Sequence, residues 1–81
     1  MTQVTLYGKP GCCLCDEARA AVEAIRADRP FDLREVDVSA DPRLWNAYGE
    51  RIPVLEIDGE EAFELGVDRT ELAHRLDTLP P

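Results

Sequence analysis

The first half of the chain alternates between short apolar runs and one long amphipathic stretch. Val4 to Tyr7 carries apolar residues on both faces, which predicts a short central strand. Pro10-Gly11 ends that strand. A helix from about Cys13 to Ala27 follows, because apolar side chains recur there at helical spacing: Leu14, Ala18, Val22 and Ile25. Phe31 to Val38 predicts a second strand, whose change of apolar phase indicates either a bulge or burial on both faces.

The second half of the chain predicts a short helix followed by a β-hairpin. The Asp41-Pro42 pair supplies an N-cap and a proline for the first helical position, and Gly49 closes the helix. Two strand-like runs follow, Ile52 to Ile57 and Glu60 to Leu65. The Asp58-Gly59 pair between them is a strong signal for a two-residue hairpin turn.

The last predicted helix begins at Asp68, which precedes Glu71 by three residues as in a capping box. One of its faces is apolar, and Pro80-Pro81 ends it; the apolar residues are Leu72, Leu76 and Leu79. The elements therefore follow the order β-α-β-α-β-β-α. A β-α-β unit makes two strands parallel through a right-handed crossover, and the hairpin adds antiparallel strands to the same sheet. We expect an α/β fold in a single domain that spans residues 1–81, since this length suits one small domain.

Composition and charge narrow the range of functions. The hydrophobic fraction of 44% is ordinary for a globular protein, so a packed core needs no metal or disulfide framework. The net charge of −8 argues against nucleic acid and anionic membrane surfaces as partners; it serves solubility, or it favours a partner with a basic face. We expect no secretory signal, because residues 1–7 contain neither a basic segment nor a long apolar run, and no apolar run approaches the length of a membrane span. We therefore expect a cytoplasmic protein in a reducing compartment.

The candidate chemistry lies at the junction between the first strand and the first helix. The three cysteines, Cys12, Cys13 and Cys15, are too close together to link distant parts of the chain. In a reducing compartment, a Cys-x-x-Cys pair is more often catalytic or metal-binding than structural. Cys12 lies at or before the helix N-terminus, where the macrodipole and unpaired N–H groups favour a thiolate. Cys15 lies in the first turn on the same face. The sequence thus predicts that Cys12 attacks a disulfide and that Cys15 resolves the mixed disulfide.

Two other interpretations of the cysteines remain open. The pair is half of a metal site, although a zinc site needs four ligands and His74 is the remaining soft candidate beyond Cys13. Otherwise the cluster arises by chance. Cys13 itself is either a small residue tolerated in the first turn or an accessory thiol open to glutathionylation or dimer formation. His74, placed beside leucines at helical spacing, is more typical of a surface or half-buried side chain than of a ligand.

Lys9 precedes Cys12 by three residues. Its ammonium either favours the thiolate and attracts a substrate carboxylate, or is a solvated loop lysine. Asp16 and Glu17 act in the opposite direction, because negative charge near the sulfur partly offsets the helix dipole. Two aromatic side chains are more typical of the core than of a site: Tyr7 and Trp45.

The run Leu6-Tyr7-Gly8-Lys9-Pro10-Gly11-Cys12-x-x-Cys15, with Arg51-Ile52-Pro53-Val54 downstream, resembles the glutaredoxin-like branch of the thioredoxin superfamily. The resemblance is greatest to small glutaredoxin-like proteins with a Pro-Gly-Cys-x-Leu-Cys signature, and it covers nearly the whole chain. It implies a thioredoxin-like fold, in which a four-stranded mixed sheet carries helices on both faces.

The resemblance also implies roles for four residues outside the cysteine pair. Taken alone, Pro53 is an ordinary edge-strand proline, but the family implies a cis bond beside the two cysteines. It implies that the backbone of Ile52 pairs with a bound peptide or glutathione. It further implies that Lys9 meets a glutathione carboxylate and that Arg51 lies near a position that does likewise. This chain has Cys-Cys-Leu-Cys rather than Cys-Pro-Tyr-Cys, and residues 64–68 keep one glycine and the aspartate of the Gly-Gly-x-Asp with which glutaredoxins hold the γ-glutamyl end.

These observations predict a thiol–disulfide oxidoreductase that reduces protein or glutathione mixed disulfides. We expect no metal and no bound cofactor, with glutathione as a co-substrate. The expected partners are a disulfide-containing protein or glutathionylated substrate, and a reductant that is glutathione or a thioredoxin-reductase-like enzyme. We expect a monomer that binds neither nucleic acid nor membrane. The alternatives are a metal or iron–sulfur carrier that bridges a dimer through Cys12 and another thiol, and a binding module of low activity.

Overall fold

The computed structural model describes residues 2–77, so the predictions for Leu79 and Pro80-Pro81 lie outside the described residues. Four strands and three α-helices follow one another in the predicted order. Their bounds are β1 (Gln3–Gly8), α1 (Cys13–Asp28), β2 (Asp32–Asp37), a 3-10 turn (Val38–Ala40), α2 (Pro42–Tyr48), β3 (Val54–Ile57), β4 (Glu60–Glu64) and α3 (Arg69–Asp77). None of these helices is long and apolar enough to cross a membrane.

The four strands form one mixed sheet in the order β2-β1-β3-β4. β1 is parallel to β2 and antiparallel to β3, and β3 and β4 form the hairpin. β1 is therefore central, as its apolar pattern predicts. Tyr7 lies opposite Val54, which in turn lies opposite Glu64. The end of β1, the start of β3 and the end of β4 consequently meet at one edge, which we call the cysteine end of the sheet because Cys12 follows β1.

One face of the sheet is covered by α1 and α3. Their side chains and those of the strands form the main core cluster: Val4, Leu6, Ala18, Val22, Ile25, Phe31, Leu55, Ile57 and Leu72. The prediction that Leu14 belongs to the buried stripe of α1 is wrong, because Leu14 is 50% exposed and Cys15 is buried in its place. Cys15 completes a stripe of alternating three- and four-residue steps, and Leu14 lies about 100° away from it around the helix.

The other face of the sheet carries α2. Tyr7 of β1 stacks on Tyr48 of α2, with ring centroids 4.1 Å apart. Both hydroxyls donate to the Glu56 carboxylate of β3, at 3.1 Å for Tyr7 and 3.0 Å for Tyr48. Burial and these interactions with Glu56 raise the pKa of both tyrosines above the ordinary value. Helices therefore cover both faces, and a polar bridge joins α2 to the sheet.

Trp45 differs from the sequence-based expectation of a core residue, because it is 42% exposed. Leu44 and Tyr48, four residues apart on α2, pack toward the sheet instead. Gly49 lies beyond the end of the helix, as predicted. Glycine avoids a steric clash at this position, because a Cβ there would come within 2.6 Å of the Trp45 ring. The short helix thus buries one narrow stripe and leaves its tryptophan half in solvent.

The sequence of the second strand changes the phase of its apolar residues partway along. The reason is that apolar residues are buried at the two ends of β2, and β2 contains no bulge. The β1–β2 register is continuous from Gln3 to Gly8. Phe31, just before β2, packs in the main core, whereas Val38, just after it, packs with Cys15 in a second cluster. The bulge lies in the hairpin, where the β3–β4 register shifts between Leu55 and Glu56.

The predicted turn and caps form with the expected geometry. Asp58 and Gly59 both have positive φ, 51° and 87°, as a two-residue hairpin turn of this hand requires. The carboxylate of Asp41 accepts from the N–H of Arg43 at 2.8 Å and caps α2. The carboxylate of Asp68 accepts from the N–H of Glu71 at 3.0 Å and caps α3. Short polar side chains thus begin the second and third helices, and a cysteine begins the first.

Candidate functional site

Cys12 is the N-cap of α1. Its backbone is extended, its carbonyl accepts from the N–H of Asp16 at 3.0 Å, and its sulfur accepts from the N–H of Cys15 at 3.2 Å. An N-cap side chain receives one of the otherwise unpaired amides of the first turn, and a sulfur anion at this place also lies at the positive end of the helix dipole. Cys12 is half-exposed. The structure therefore places an accessible sulfur where negative charge is well accommodated.

Cys15 lies beneath Cys12, within the first turn of α1, and its side chain is 1% exposed. Burial, followed by interaction with the Cys12 side chain, raises the pKa of the Cys15 thiol to about 11. The two residues thus differ in environment: Cys12 meets solvent and Cys15 is covered. The predicted division of roles, in which the exposed sulfur attacks and the buried thiol resolves, stays a prediction.

Gly8 allows Cys15 to lie against the end of β1. A Cβ built on Gly8 would be 3.0 Å from the Cys15 sulfur and 3.2 Å from its Cβ, closer than neighbouring atoms normally pack. The sequence pattern does not mark this role. The one available signal is a glycine at the last position of an otherwise regular strand, which is typical of close approach by another group.

Ile52 and Pro53 lie beside the cysteines at the start of β3. Both are buried, and Ile52 packs in one cluster with Cys15 and the half-exposed Cys12. The Ile52–Pro53 peptide bond is cis. Outside the strand ladders, no hydrogen bond among residues 2–77 uses the backbone N–H or C=O of Ile52. The structure therefore brings the two cysteines and the Ile52-Pro53 segment to the same place.

The two predicted cations have different surroundings. Lys9 is exposed, and its Nζ lies 5.6 Å from the centre of the Trp45 ring. Arg51 donates to the carboxylates of Glu61 and Glu64 at 2.7 to 3.2 Å, and to the carbonyl of Ala47 at 2.9 Å. The guanidinium of Arg51 thus holds the loop before β3 against the hairpin, and its charge is balanced by two carboxylates.

The remaining candidates are the third cysteine, the histidine and a metal site. Cys13 is exposed in the first turn, and all three cysteines are free thiols. His74 is exposed on α3. Within residues 2–77, no group of three or more His, Cys, Asp or Glu side chains is positioned to hold a metal ion. The part of the chain that the structure describes therefore contains no preformed metal site within one molecule.

A cavity of about 400 Å³ opens beside the start of α1, on the side of β2. Cys15 forms part of its wall, together with polar and charged residues that include Lys9, Asp16, Glu35 and Asp37. Arg19, also in the wall, pairs with Asp16 and Glu35. The cavity thus reaches the otherwise buried Cys15, and Ile52 is not among the residues that line it.

Leu65 is a second position that the sequence pattern does not mark. Its φ of 63° lies in the left-handed region, which a bulky side chain rarely adopts. The N–H of Leu65 donates to the carbonyl of Arg51 at 2.9 Å, so the residue is tied to the segment that leads into Pro53. Its side chain is 59% exposed. A strained, exposed leucine therefore stands at the cysteine end of the sheet.

Comparison with known proteins gives a consistent result. The family described as Glutaredoxin-like domain (DUF836) matches residues 3–77. An uncharacterized protein of Mycobacterium tuberculosis is 28% identical, over 98% of this chain and 91% of its own length. The X-ray structure of a structural-genomics target protein from X. campestris is 32% identical with a TM-score of 0.79, covering 95% of this chain and 99% of that one. A mutant thioredoxin from Halobacterium salinarum, 24% identical, has a TM-score of 0.72 over 99% of this chain and 78% of its own, which supports the fold.

Proposed function

The chain belongs to the glutaredoxin-like domain family, and we propose that it is a thiol–disulfide oxidoreductase that reduces protein or glutathione mixed disulfides through Cys12 and Cys15. The observation that carries this proposal is the hydrogen bond from the Cys15 N–H to the Cys12 sulfur at 3.2 Å. It holds an accessible sulfur at the helix N-terminus, within the same turn as a second, covered thiol.

In the first proposed step, the Cys12 thiolate attacks one sulfur of a substrate disulfide. A new bond forms between that sulfur and Cys12, the substrate disulfide breaks, and the departing thiolate takes a proton from solvent. The half-exposed position of Cys12 gives the substrate access. The hydrogen bond from the first turn of α1 keeps the attacking sulfur in place.

In the second proposed step, Cys15 loses its proton and attacks the Cys12 sulfur of the mixed disulfide. The second substrate thiolate leaves, and a Cys12–Cys15 disulfide remains. Burial is the main cause of the raised pKa of Cys15, and interaction with the Cys12 side chain adds to it; the second cause weakens once Cys12 is bonded to substrate. The cavity beside Cys15 supplies a route for the proton to reach water.

The exchange transfers two electrons from the protein dithiol to the substrate disulfide. An external thiol reductant, either glutathione or a reductase of the thioredoxin-reductase class, then returns the Cys12–Cys15 disulfide to the dithiol. The proposed setting is the cytoplasm, where thiols are kept reduced. The protein is proposed to act as a monomer.

Substrate binding is proposed at the segment that lies beside the cysteines. An extended substrate pairs with the backbone of Ile52 as an added strand, because the ladder of β3 begins after it. Pro53 fixes the path of that segment, and Arg51 supports it through Glu61 and Glu64. Lys9, exposed before α1, meets a substrate carboxylate where one is present.

The proposal is tested with cysteine variants in a disulfide-reduction assay. Cys12→Ser should abolish turnover, and Cys15→Ser should accumulate a mixed disulfide between Cys12 and substrate. Cys13→Ser is the matched control, since it removes the neighbouring thiol from the same helical turn and should retain turnover. Full activity of the Cys12→Ser protein would exclude the proposed mechanism.

A further inference from the structure

The large exposed apolar side chains of residues 2–77 are Leu14, Trp45 and Leu65, and all three lie at the cysteine end of the sheet. Scattered exposed apolar residues are normal on a protein surface, whereas a cluster around a reactive group marks a contact surface. We call these three residues the apolar rim. Leu14 stands in α1 between Cys12 and Cys15.

The other two members are fixed by contacts with loops that flank the cysteines. The Trp45 ring lies 5.6 Å from the Nζ of Lys9, which precedes α1, and Gly49 leaves room for the ring. Leu65 has a φ of 63° and donates its N–H to the carbonyl of Arg51, next to Ile52. A half-exposed tryptophan that is held in place is typical of residues that dominate binding energy.

The charges around the rim include the exposed Lys9, whose Nζ lies 5.6 Å from the centre of the Trp45 ring, and are otherwise mainly negative. Arg51 is balanced by Glu61 and Glu64. Glu17 on α1 and Glu50 in the loop before β3 are exposed, and within residues 2–77 neither forms an ion pair. The whole chain carries a net charge of −8. A ligand with several carboxylates is repelled by this surface, whereas a cationic one is attracted.

We propose that the apolar rim and its carboxylates make this site selective for disulfides within polypeptides, with an apolar side chain next to the cysteine and Lys or Arg flanking it, over mixed disulfides of glutathione. This inference rests on the proposed oxidoreductase function. Glutathione presents two carboxylates and no large apolar group. Of the two cations that would receive these carboxylates, Lys9 is exposed, whereas Arg51 is already engaged by Glu61 and Glu64.

Selectivity for peptide disulfides leaves the two steps of the proposed thiol–disulfide exchange unchanged. Cys12 and Cys15 give up two electrons and are oxidised to a disulfide, while the peptide disulfide is reduced to two thiols that take up two protons. In the assay, dithiothreitol returns the protein to the dithiol. Selectivity arises in the first step, when the substrate docks and its disulfide meets the Cys12 sulfur.

The experiment compares matched fluorogenic peptide disulfides that differ beside the cysteine. Each peptide carries Lys or Glu as the flanking charge and Leu or Ser as the side chain next to the cysteine; the Lys-Leu peptide, for example, combines Lys with Leu. A glutathione mixed disulfide is the reference. At about 20 mM salt, kcat/KM for the Lys-Leu peptide should exceed that for the Glu-Leu peptide by about tenfold or more. At about 0.5 M salt the ratio should fall below about threefold.

Rim variants show whether the apolar contact contributes. Trp45→Ala should lower kcat/KM for the Leu peptides by about tenfold and change the Ser peptides little, while Trp45→Phe retains most of the turnover. Glu64→Gln should weaken the preference for Lys. Glu23→Gln, which removes an exposed carboxylate from the middle of α1, is the matched control and should leave the preference intact.

Equal turnover of all peptides, or fastest turnover of the glutathione mixed disulfide, would overturn this inference while leaving the oxidoreductase proposal in place. Absence of turnover of every disulfide would instead remove the proposed function and the inference with it. Sedimentation of the reduced protein gives an independent test. A dimer that Trp45→Ala abolishes would assign the rim to a second copy of the chain and contradict the proposal.

Discussion

The Cα of Gly8 faces the sulfur of Cys15 so closely that a methyl group on Gly8 would lie 3.0 Å from that sulfur. The last residue of β1 thus sets how deeply the second cysteine is buried. The consequence is a Cys15 thiol with 1% exposure beneath a half-exposed Cys12. The proposed two-step exchange depends on this difference in depth between the two sulfurs.

Gly8→Ala should displace the Cys15 sulfur and slow the second step. Overpacking of a buried site typically costs about 1–3 kcal/mol, so unfolding in urea should show a loss of that order. Stopped-flow decay of the Cys12 mixed disulfide should be slower than in the unsubstituted protein. Gly59→Ala is the control, because nothing lies within 4 Å of its added Cβ; it strains a positive φ but should leave the decay rate unchanged. Equal decay in the Gly8 variant would contradict this role.

The raised pKa of Cys15 predicts a specific dependence of stability on alkaline pH. Below the ordinary value near 9, the thiol is protonated in both folded and unfolded chains. Between that value and about 11, the unfolded chain loses the proton first, so folding stability falls as pH rises. The free energy of unfolding of the reduced protein should fall by about 2 kcal/mol more than that of Cys15→Ala between about pH 8 and 11. The tyrosines titrate in both proteins and cancel in the difference. If the free energy of unfolding depended on pH in the same way in the reduced protein and in Cys15→Ala, Cys15 would not be protected from ionisation.

The hydrogen bonds of Tyr7 and Tyr48 to Glu56 predict that substitution of Glu56 lowers the stability of the fold without involving the cysteines. Tyr7 and Tyr48 donate to different oxygens of this carboxylate. Glu56→Gln replaces one acceptor by an NH₂ donor, so one hydroxyl loses its partner at a cost of about 1–2 kcal/mol. Spectrophotometric titration should also show the pKa of Tyr7 moving down toward its ordinary value, because the negative charge is removed. Glu60→Gln, at the exposed start of β4, is the control and should change neither quantity.

Two substitutions of Leu65 distinguish the energetic cost of its backbone conformation from the contribution of its side chain to substrate binding. Leu65→Gly should be more stable than Leu65→Ala by about 1 kcal/mol, since glycine adopts the observed φ of 63° without the Cβ penalty. Both variants remove the exposed side chain, so both should lose turnover of the Lys-Leu peptide to the same extent. Urea unfolding and kcat/KM measure the two effects separately. Retained turnover in both variants would mean that Leu65 does not contact the substrate.

Local sequence signals predicted much of this fold because they act over a few residues. Asp41, Asp68 and the Asp58-Gly59 pair determine caps and a turn through their own side chains and backbones, and the structure shows each of them in that role. The Cys-x-x-Cys pair likewise lies at a helix N-terminus because of the Pro10-Gly11 break before it.

Features that depend on distant partners could not be predicted in the same way. The exposure of Trp45 is set by which stripe of the seven-residue α2 meets the sheet, and periodicity over two turns does not determine that stripe. Leu14 lies in the first turn of α1, where Cys15 continues the buried stripe in its place. The engagement of Arg51 depends on Glu61 and Glu64, which the hairpin bulge and register bring within reach. The closeness of Gly8 to Cys15 likewise arises from packing of α1 on the sheet.

Identifying the disulfide that forms in one turnover shows which two sulfurs of this protein take part in the exchange. Fully reduced protein is mixed with one equivalent of a peptide disulfide, quenched in acid, digested, and mapped by mass spectrometry. We expect a Cys12–Cys15 disulfide, a free Cys13, and release of both substrate thiols. A bond between Cys12 and Cys13, a chain-to-chain bond through Cys13, or an unchanged dithiol would contradict the proposed exchange.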